Sequence, residues 1–92
     1  MNKTAQACLL ITMGFALYGC ATQPDRVLQH NEVPAAVLQS FSSAYPAAKV
    51  LKYEEEFEKG QKIYEIDFLL GKQEYEAEYN AQGKLLKVER DD

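Results

Sequence analysis

The side chains that could carry out covalent chemistry are few. The sequence has two cysteines, Cys8 and Cys20, and a single histidine, His30. A serine triad would have to recruit His30, and a thiol nucleophile would have to be Cys20. Paired carboxylates are present, but they alternate along strand-like segments, where nothing excludes water or raises a pKa by burial. We therefore expect a protein that is not an enzyme and that has no cofactor or metal.

Composition further narrows the classes of protein to which the chain could belong. The chain has 92 residues, enough for one small domain, and a formal net charge of −4 with the acids in its C-terminal half. Nucleic acid needs a basic footprint, so it is excluded as a partner. Two cysteines are too few for a disulfide-stapled scaffold.

The N-terminal segment has the pattern of an export signal. A short cationic start is followed by the apolar run Ala5–Tyr18, "AQACLLITMGFALY". About 14 such residues are too few to span a ~30 Å hydrocarbon core, but they suit the central region of a secretory signal peptide.

The end of that run suggests a modification at Cys20. Leu17, Tyr18, Gly19 and Cys20 stand in the order leucine, any residue, small residue, cysteine, which resembles the lipobox of bacterial lipoproteins. The resemblance implies a signal peptide over residues 1–19, cleavage before Cys20, and acylation (for example by palmitate) of that residue. Acyl chains would then hold the protein at a membrane. The alternative is ordinary cleavage after Ala21.

Residues 20–31 are predicted to be a flexible tether. The segment that follows the cysteine, "ATQPDRVLQHN", is polar and contains a proline. His30 lies at its end and is expected to be solvated. The residue after Cys20 is Ala21 and not an aspartate, which resembles the pattern that sorts Gram-negative lipoproteins to the outer membrane. We expect a lipid-anchored protein of the bacterial cell envelope, on the outer membrane facing the periplasm, or alternatively a soluble secreted or periplasmic one.

Residues 32–92 are predicted to form an α+β domain, with one helix packed on a four-stranded antiparallel β-meander. Pro34 and Pro46 bound a helix at about 34–45, whose apolar residues share one face. Beyond the helix, apolar residues recur at every second position, as in a strand, and a glycine stands at each of the three breaks between the strand-like segments. The predicted strands are 49–58, 61–70, 73–80 and 84–90. The core is thin, so a second copy of the chain, or another partner, could add stability.

Pairing across the three breaks predicts the sheet register. Leu51 is expected opposite Phe68, and Tyr79 opposite Leu86. The same pairing predicts two rows on the outward face: Glu54, Glu65, Glu78, Lys87 and Lys52, Asp67, Glu76, Glu89. Glu55 is the one charge expected on the apolar side, at its rim.

The outward face has three interpretations. Like charges opposite each other destabilise a sheet, so the acids are either a solvated surface, a docking surface for a basic partner, or a divalent-cation site. The candidate partner-binding residues are Glu54, Glu65, Asp67, Glu76 and Glu78.

The segments "VPAAVLQSFSSAYPAAKV" and "YNAQGKLL" resemble the PepSY-like family of exported bacterial domains. The resemblance covers about residues 32–90 and implies a fold similar to that of the β-lactamase inhibitor protein. It also implies binding or restraint of other exported proteins, peptidases among them. The resulting hypothesis is a non-enzymatic envelope lipoprotein that binds, and by this resemblance inhibits, another exported protein. The alternative is a structural or cation-responsive envelope lipoprotein with no dedicated protein partner.

Overall fold

The computed structural model describes residues 25–92, so the predictions for the signal peptide and for Cys20 lie outside the described residues. Within residues 25–92, no helix is both long enough and apolar enough to cross a membrane. The elements in chain order are β1 (Arg26–Leu28), a 3-10 helix (His30–Glu32), α1 (Ala35–Ala44), β2 (Lys49–Glu58), β3 (Gln61–Leu70), β4 (Gln73–Asn80) and β5 (Leu85–Asp91).

The five strands form one antiparallel sheet in the order β1-β2-β3-β4-β5. The prediction of a four-stranded meander with one helix packed on it is therefore wrong: the domain is mostly β, with a fifth strand and one short helix. The additional strand, β1, pairs with β2, placing Leu28 opposite Tyr53. It lies inside the segment 20–31 that was predicted to be a tether. A strand of three residues is too short to show a period-two alternation, which is why the sequence pattern did not indicate it.

The apolar core lies between α1 and one face of the sheet. Val37 and Phe41 of α1 are buried against Phe68 of β3, and the Phe41 and Phe68 rings meet edge-on with centroids 4.9 Å apart. Leu28 of β1 belongs to the same cluster, so the fifth strand is part of the core. Val88 of β5 stays exposed, so α1 does not cover the far edge of the sheet.

The turn between β4 and β5 is fixed against α1. Gly83 has a φ of +86°, and a Cβ built on it would lie 2.5 Å from the carbonyl oxygen of Ala36. The Ser40 hydroxyl donates a 2.7 Å hydrogen bond to the Gly83 carbonyl oxygen. Inside the turn, the Asn80 side-chain oxygen accepts hydrogen bonds from the backbone N–H groups of Gln82 and Lys84, both 3.0 Å. Glycine is thus required there both by its φ and by its close approach to the helix.

The predicted register is confirmed through the middle of the sheet and wrong at two irregularities. Val50, not Leu51, lies opposite Phe68, because the β2–β3 register shifts between Val50 and Lys52. Leu51 is consequently 45% exposed. Tyr79 lies opposite Leu85 rather than Leu86, because the β4–β5 register also shifts. At each shift one strand contains one extra residue. On both sides of that residue the side chains still alternate between the two faces of the sheet.

Candidate functional site

The strongest concentration of charge lies on the side of the sheet opposite α1, which we call the acidic face. Side chains alternate across a strand, so the residues between the buried Tyr64, Ile66 and Phe68 point away from the core. The acidic face is formed by Glu54, Glu56 and Glu58 of β2, Glu65 and Asp67 of β3, and Glu76 and Glu78 of β4.

The sequence-predicted candidates all lie on this face. Both predicted cross-strand rows are present, so Glu65 stands between Glu54 and Glu78, and Asp67 between Lys52 and Glu76. Sequence reasoning missed Glu56 and Glu58 as members. Their alternation with Glu54 in "YEEEFE" was the available signal.

The carboxylates at the centre approach one another closely. One oxygen from each of Glu65, Asp67 and Glu76 lies within 4.8 Å of the other two. A second group of this kind, Glu54, Glu56 and Glu65, shares Glu65 with the first, and a third, Glu56, Glu58 and Glu78, shares Glu56 with the second. Glu65 and Asp67 are each only 8% exposed, and both belong to β3, the central strand of the sheet, with side chains of β2 and β4 on either side. The acidic face therefore has a buried centre and a solvated margin.

Burial at this centre changes the acidity of the side chains. Burial, followed by hydrogen bonds to Asp67 and Glu56, raises the pKa of the Glu65 carboxyl far above its usual range. Burial also raises the pKa of Glu76, with the Asp67 charge as the second cause. The pKa of Glu78 is raised by burial as well, and Lys87 opposes that shift. The protein thus favours a proton, or another positive charge, at the centre of the acidic face.

Lysine side chains on the acidic face compensate its negative charge only in part. The Lys52 ammonium lies 3.6 Å from a Glu54 oxygen and 3.7 Å from Oδ2 of Asp67. The nearby Glu54 and Asp67 charges raise the pKa of Lys52. The other oxygen, Oδ1 of Asp67, is buried and has no hydrogen-bond partner within residues 25–92. A buried acceptor without a hydrogen-bond partner destabilises the folded state by about 1–3 kcal/mol, so binding a donor or a cation at this oxygen would be favourable.

Glu55 lies on the apolar side, as predicted, and the structure accounts for its charge. Its carboxylate oxygens lie 3.5 Å from Nε of Arg26 and 3.4 Å from Nζ of Lys62. Arg26 belongs to β1, so the strand that the sequence pattern did not indicate supplies one of the two cations.

A second concave surface lies on the opposite side, between α1 and β2. It is a groove of about 420 Å³, and its lining includes His30, Leu38, Tyr45 and Tyr53. The His30 ring stands edge-on to Tyr53, with centroids 5.8 Å apart. His30 is exposed, but it lies in the 3-10 helix rather than in an extended linker. The groove is shallow and largely apolar, and it is separated from the acidic face by the sheet.

Comparison with protein-family models, with curated proteins and with solved structures finds no match for this chain. The resemblances to the PepSY-like family and to the lipobox therefore stay predictions. The fold itself defines the class: a five-stranded antiparallel sheet with one short helix on one face and carboxylates on the other.

Proposed function

We propose that this chain is a non-catalytic binding module of the bacterial cell envelope, whose acidic face binds a basic surface on another exported protein. The observation that carries the proposal is the convergence of the Glu65, Asp67 and Glu76 carboxyl groups on a sheet face that α1 leaves open.

The charge on this face favours a cationic protein surface as its ligand. The carboxyl groups are spread over three strands, two spacings of about 4.8 Å, on a flat and open sheet face, which suits contact with a protein surface. Lysine or arginine side chains placed over Asp67 and Glu76 would relieve the cross-strand repulsion between them. A field of negative charge also steers cationic partners and raises association rates.

Anchoring of the module belongs to the same proposal. Acylation of Cys20 would place the domain at the membrane, on the outer membrane facing the periplasm. Ordinary cleavage would instead release a soluble periplasmic or secreted form. Inhibition of a peptidase is the form of binding that the PepSY-like resemblance implies.

The test compares two variants that remove the same formal charge. D67N/E76Q changes the centre of the acidic face, and D25N/D92N changes two exposed acids away from it. Each protein is used to capture partners from envelope extract by cross-linking, at low and at high salt. We expect a defined protein to be captured by the wild type and by D25N/D92N, to be lost with D67N/E76Q, and to be released by salt. Equal capture by the two variants would show that the acidic face is not the contact.

A second candidate function is a cation-responsive envelope protein without a protein partner. Calcium takes oxygen ligands at 2.3–2.6 Å, so ligands on opposite sides of the ion lie up to about 5 Å apart. The oxygens of Glu65, Asp67 and Glu76 fall within that spacing, and Oδ1 of Asp67 is buried and unpartnered in the described chain. This candidate requires a saturable rise in melting temperature with calcium that D67N abolishes. No rise in the wild type would exclude it.

A further inference from the structure

β5 is an open edge of the sheet. All of its seven residues are exposed, and within residues 25–92 no strand pairs with its outer side. Its apolar side chains are large: Leu85 is 45%, Leu86 44% and Val88 39% exposed. The opposite edge, β1, has only three residues. A long edge strand with exposed apolar side chains is a template for pairing with another chain.

The sequence of β5 is suited to antiparallel pairing with itself. The strand runs from Leu85 to Asp91, so its central residue is Val88. A two-fold axis through Val88 would lay the two strands side by side, with regular pairing centred on Lys87, Val88 and Glu89, beyond the irregularity at Leu86. Val88 would then face Val88 of the second copy.

The charges select the same register. With Val88 on the axis, Lys87 of each copy lies opposite Glu89 of the other, which places opposite charges together twice. A shift of the axis to Lys87 would place the two Lys87 side chains opposite each other. A shift to Glu89 would do the same with the two Glu89 side chains. The Val88 contact and the charges thus agree on one register.

The pairing also agrees with the faces of the sheet. Val88 lies opposite Ala77, which is in the core, so the Val88 pair would extend the apolar side. Lys87 lies opposite Glu78, and its ammonium is 3.2 Å from a Glu89 oxygen of the same chain. The Lys87–Glu89 pairs would therefore lie on the side of the acidic face, and the acidic faces of both copies would share one side of a continuous sheet.

We propose that two copies of this chain form a homodimer through antiparallel β5–β5 pairing, centred on Val88. The proposal does not depend on the partner of the acidic face, because it uses only the edge. A contact of seven residues per copy is small beside the roughly 20–30 residues a side of a standard interface, so the dimer should be reversible and concentration-dependent.

The test exchanges the charges of Lys87 and Glu89. Dimerisation of the full chain in detergent is measured by sedimentation velocity. K87E places glutamates opposite each other in the homodimer, and E89K does the same with lysines. We expect each variant alone to dimerise at least about tenfold more weakly than the wild type. An equimolar mixture of K87E and E89K should regain the dimer, because both cross-strand pairs are then of opposite charge. The double variant K87E/E89K should regain it as well.

The control K72E reverses a lysine in the exposed β3–β4 turn and should leave the dimer unchanged. Circular dichroism of every variant reports whether the domain is folded. A wild type that stays monomeric at its solubility limit would overturn the proposal. So would a mixture of K87E and E89K that dimerises no better than either variant alone.

Discussion

The hydroxyl of Ser40 and the carbonyl oxygen of Gly83 are 2.7 Å apart and join the middle of α1 to the β4–β5 turn. This is a contact between residues far apart in the sequence, and it holds the only α-helix of residues 25–92 over the end of a hairpin. The close approach is possible because Gly83 has no side chain. It makes the turn part of the core rather than a simple connection.

Gly83→Ala should destabilise the domain more than the same change at another turn glycine. The added Cβ would meet the Ala36 carbonyl oxygen at 2.5 Å, whereas a Cβ on Gly60 meets nothing within 4 Å. Both residues have positive φ, so Gly60→Ala is a control for the backbone cost of about 1 kcal/mol. We expect Gly83→Ala to cost about 1–3 kcal/mol more than Gly60→Ala in urea unfolding. Equal losses would mean that the helix does not press on the turn.

Leu28→Ala should show that β1 belongs to the folded domain. Leu28 is 5% exposed, whereas its neighbour Val27 is 63% exposed. Truncation of a buried leucine costs about 2–5 kcal/mol, and we expect the lower part of that range at an edge strand. Val27→Ala is the matched control and should change the free energy of unfolding by less than about 0.5 kcal/mol. A Leu28→Ala variant as stable as the wild type would contradict the placement of β1.

Glu65 should make the protein less stable as the pH rises. Its folded pKa is raised above the usual glutamate value of 4.5, so between that value and the folded pKa the native state holds a proton that the unfolded chain releases. The unfolded state binds fewer protons in this window, so the free energy of unfolding falls with increasing pH. The raised pKa values of Glu76 and Glu78 act in the same direction.

Glu65→Gln keeps a hydrogen-bonding side chain but cannot ionise. We expect urea midpoints measured at about pH 5 and about pH 8 to differ less in Glu65→Gln than in the wild type. The difference should persist in Asp25→Asn, whose carboxylate is exposed. A wild type whose midpoint is constant or rises over this range would contradict the raised pKa.

Cys20→Ala should abolish acylation and membrane association. We expect mass spectrometry of the membrane-extracted wild type to find a chain that begins at Cys20 and carries acyl mass. The variant should be recovered uncleaved or in the soluble fraction. An unmodified mature chain beginning at Thr22 would instead support ordinary cleavage after Ala21.

The helix and the four longer strands could be predicted because each has a strong local signal. Pro34 and Pro46 bound α1, and a glycine marks each hairpin turn. The two register shifts could not be predicted, because a bulge at Leu51 or near Leu86 leaves the alternation on both sides intact. β1 could not be predicted either, since Leu28 is recognisable as a core residue only once β2 is in place.

The acidic face was predictable as a surface, but its centre was not. Alternation alone places Glu65 and Asp67 on the outward side, where a strand residue is normally solvated. Their burial depends on how the side chains of β2 and β4 pack beside them, and the sequence does not display that packing. The same holds for the unpartnered oxygen of Asp67.

The position of β1 limits how far the domain could reach from a membrane. A tether over residues 20–31 would let an extended chain advance about 40 Å, at roughly 3.3–3.6 Å per residue. Because β1 begins at Arg26, the span that remains after Cys20 corresponds to about 20 Å. A lipid-anchored form would therefore keep Arg26 within about 20 Å of the bilayer surface, and a partner would have to come close to that membrane to bind the domain.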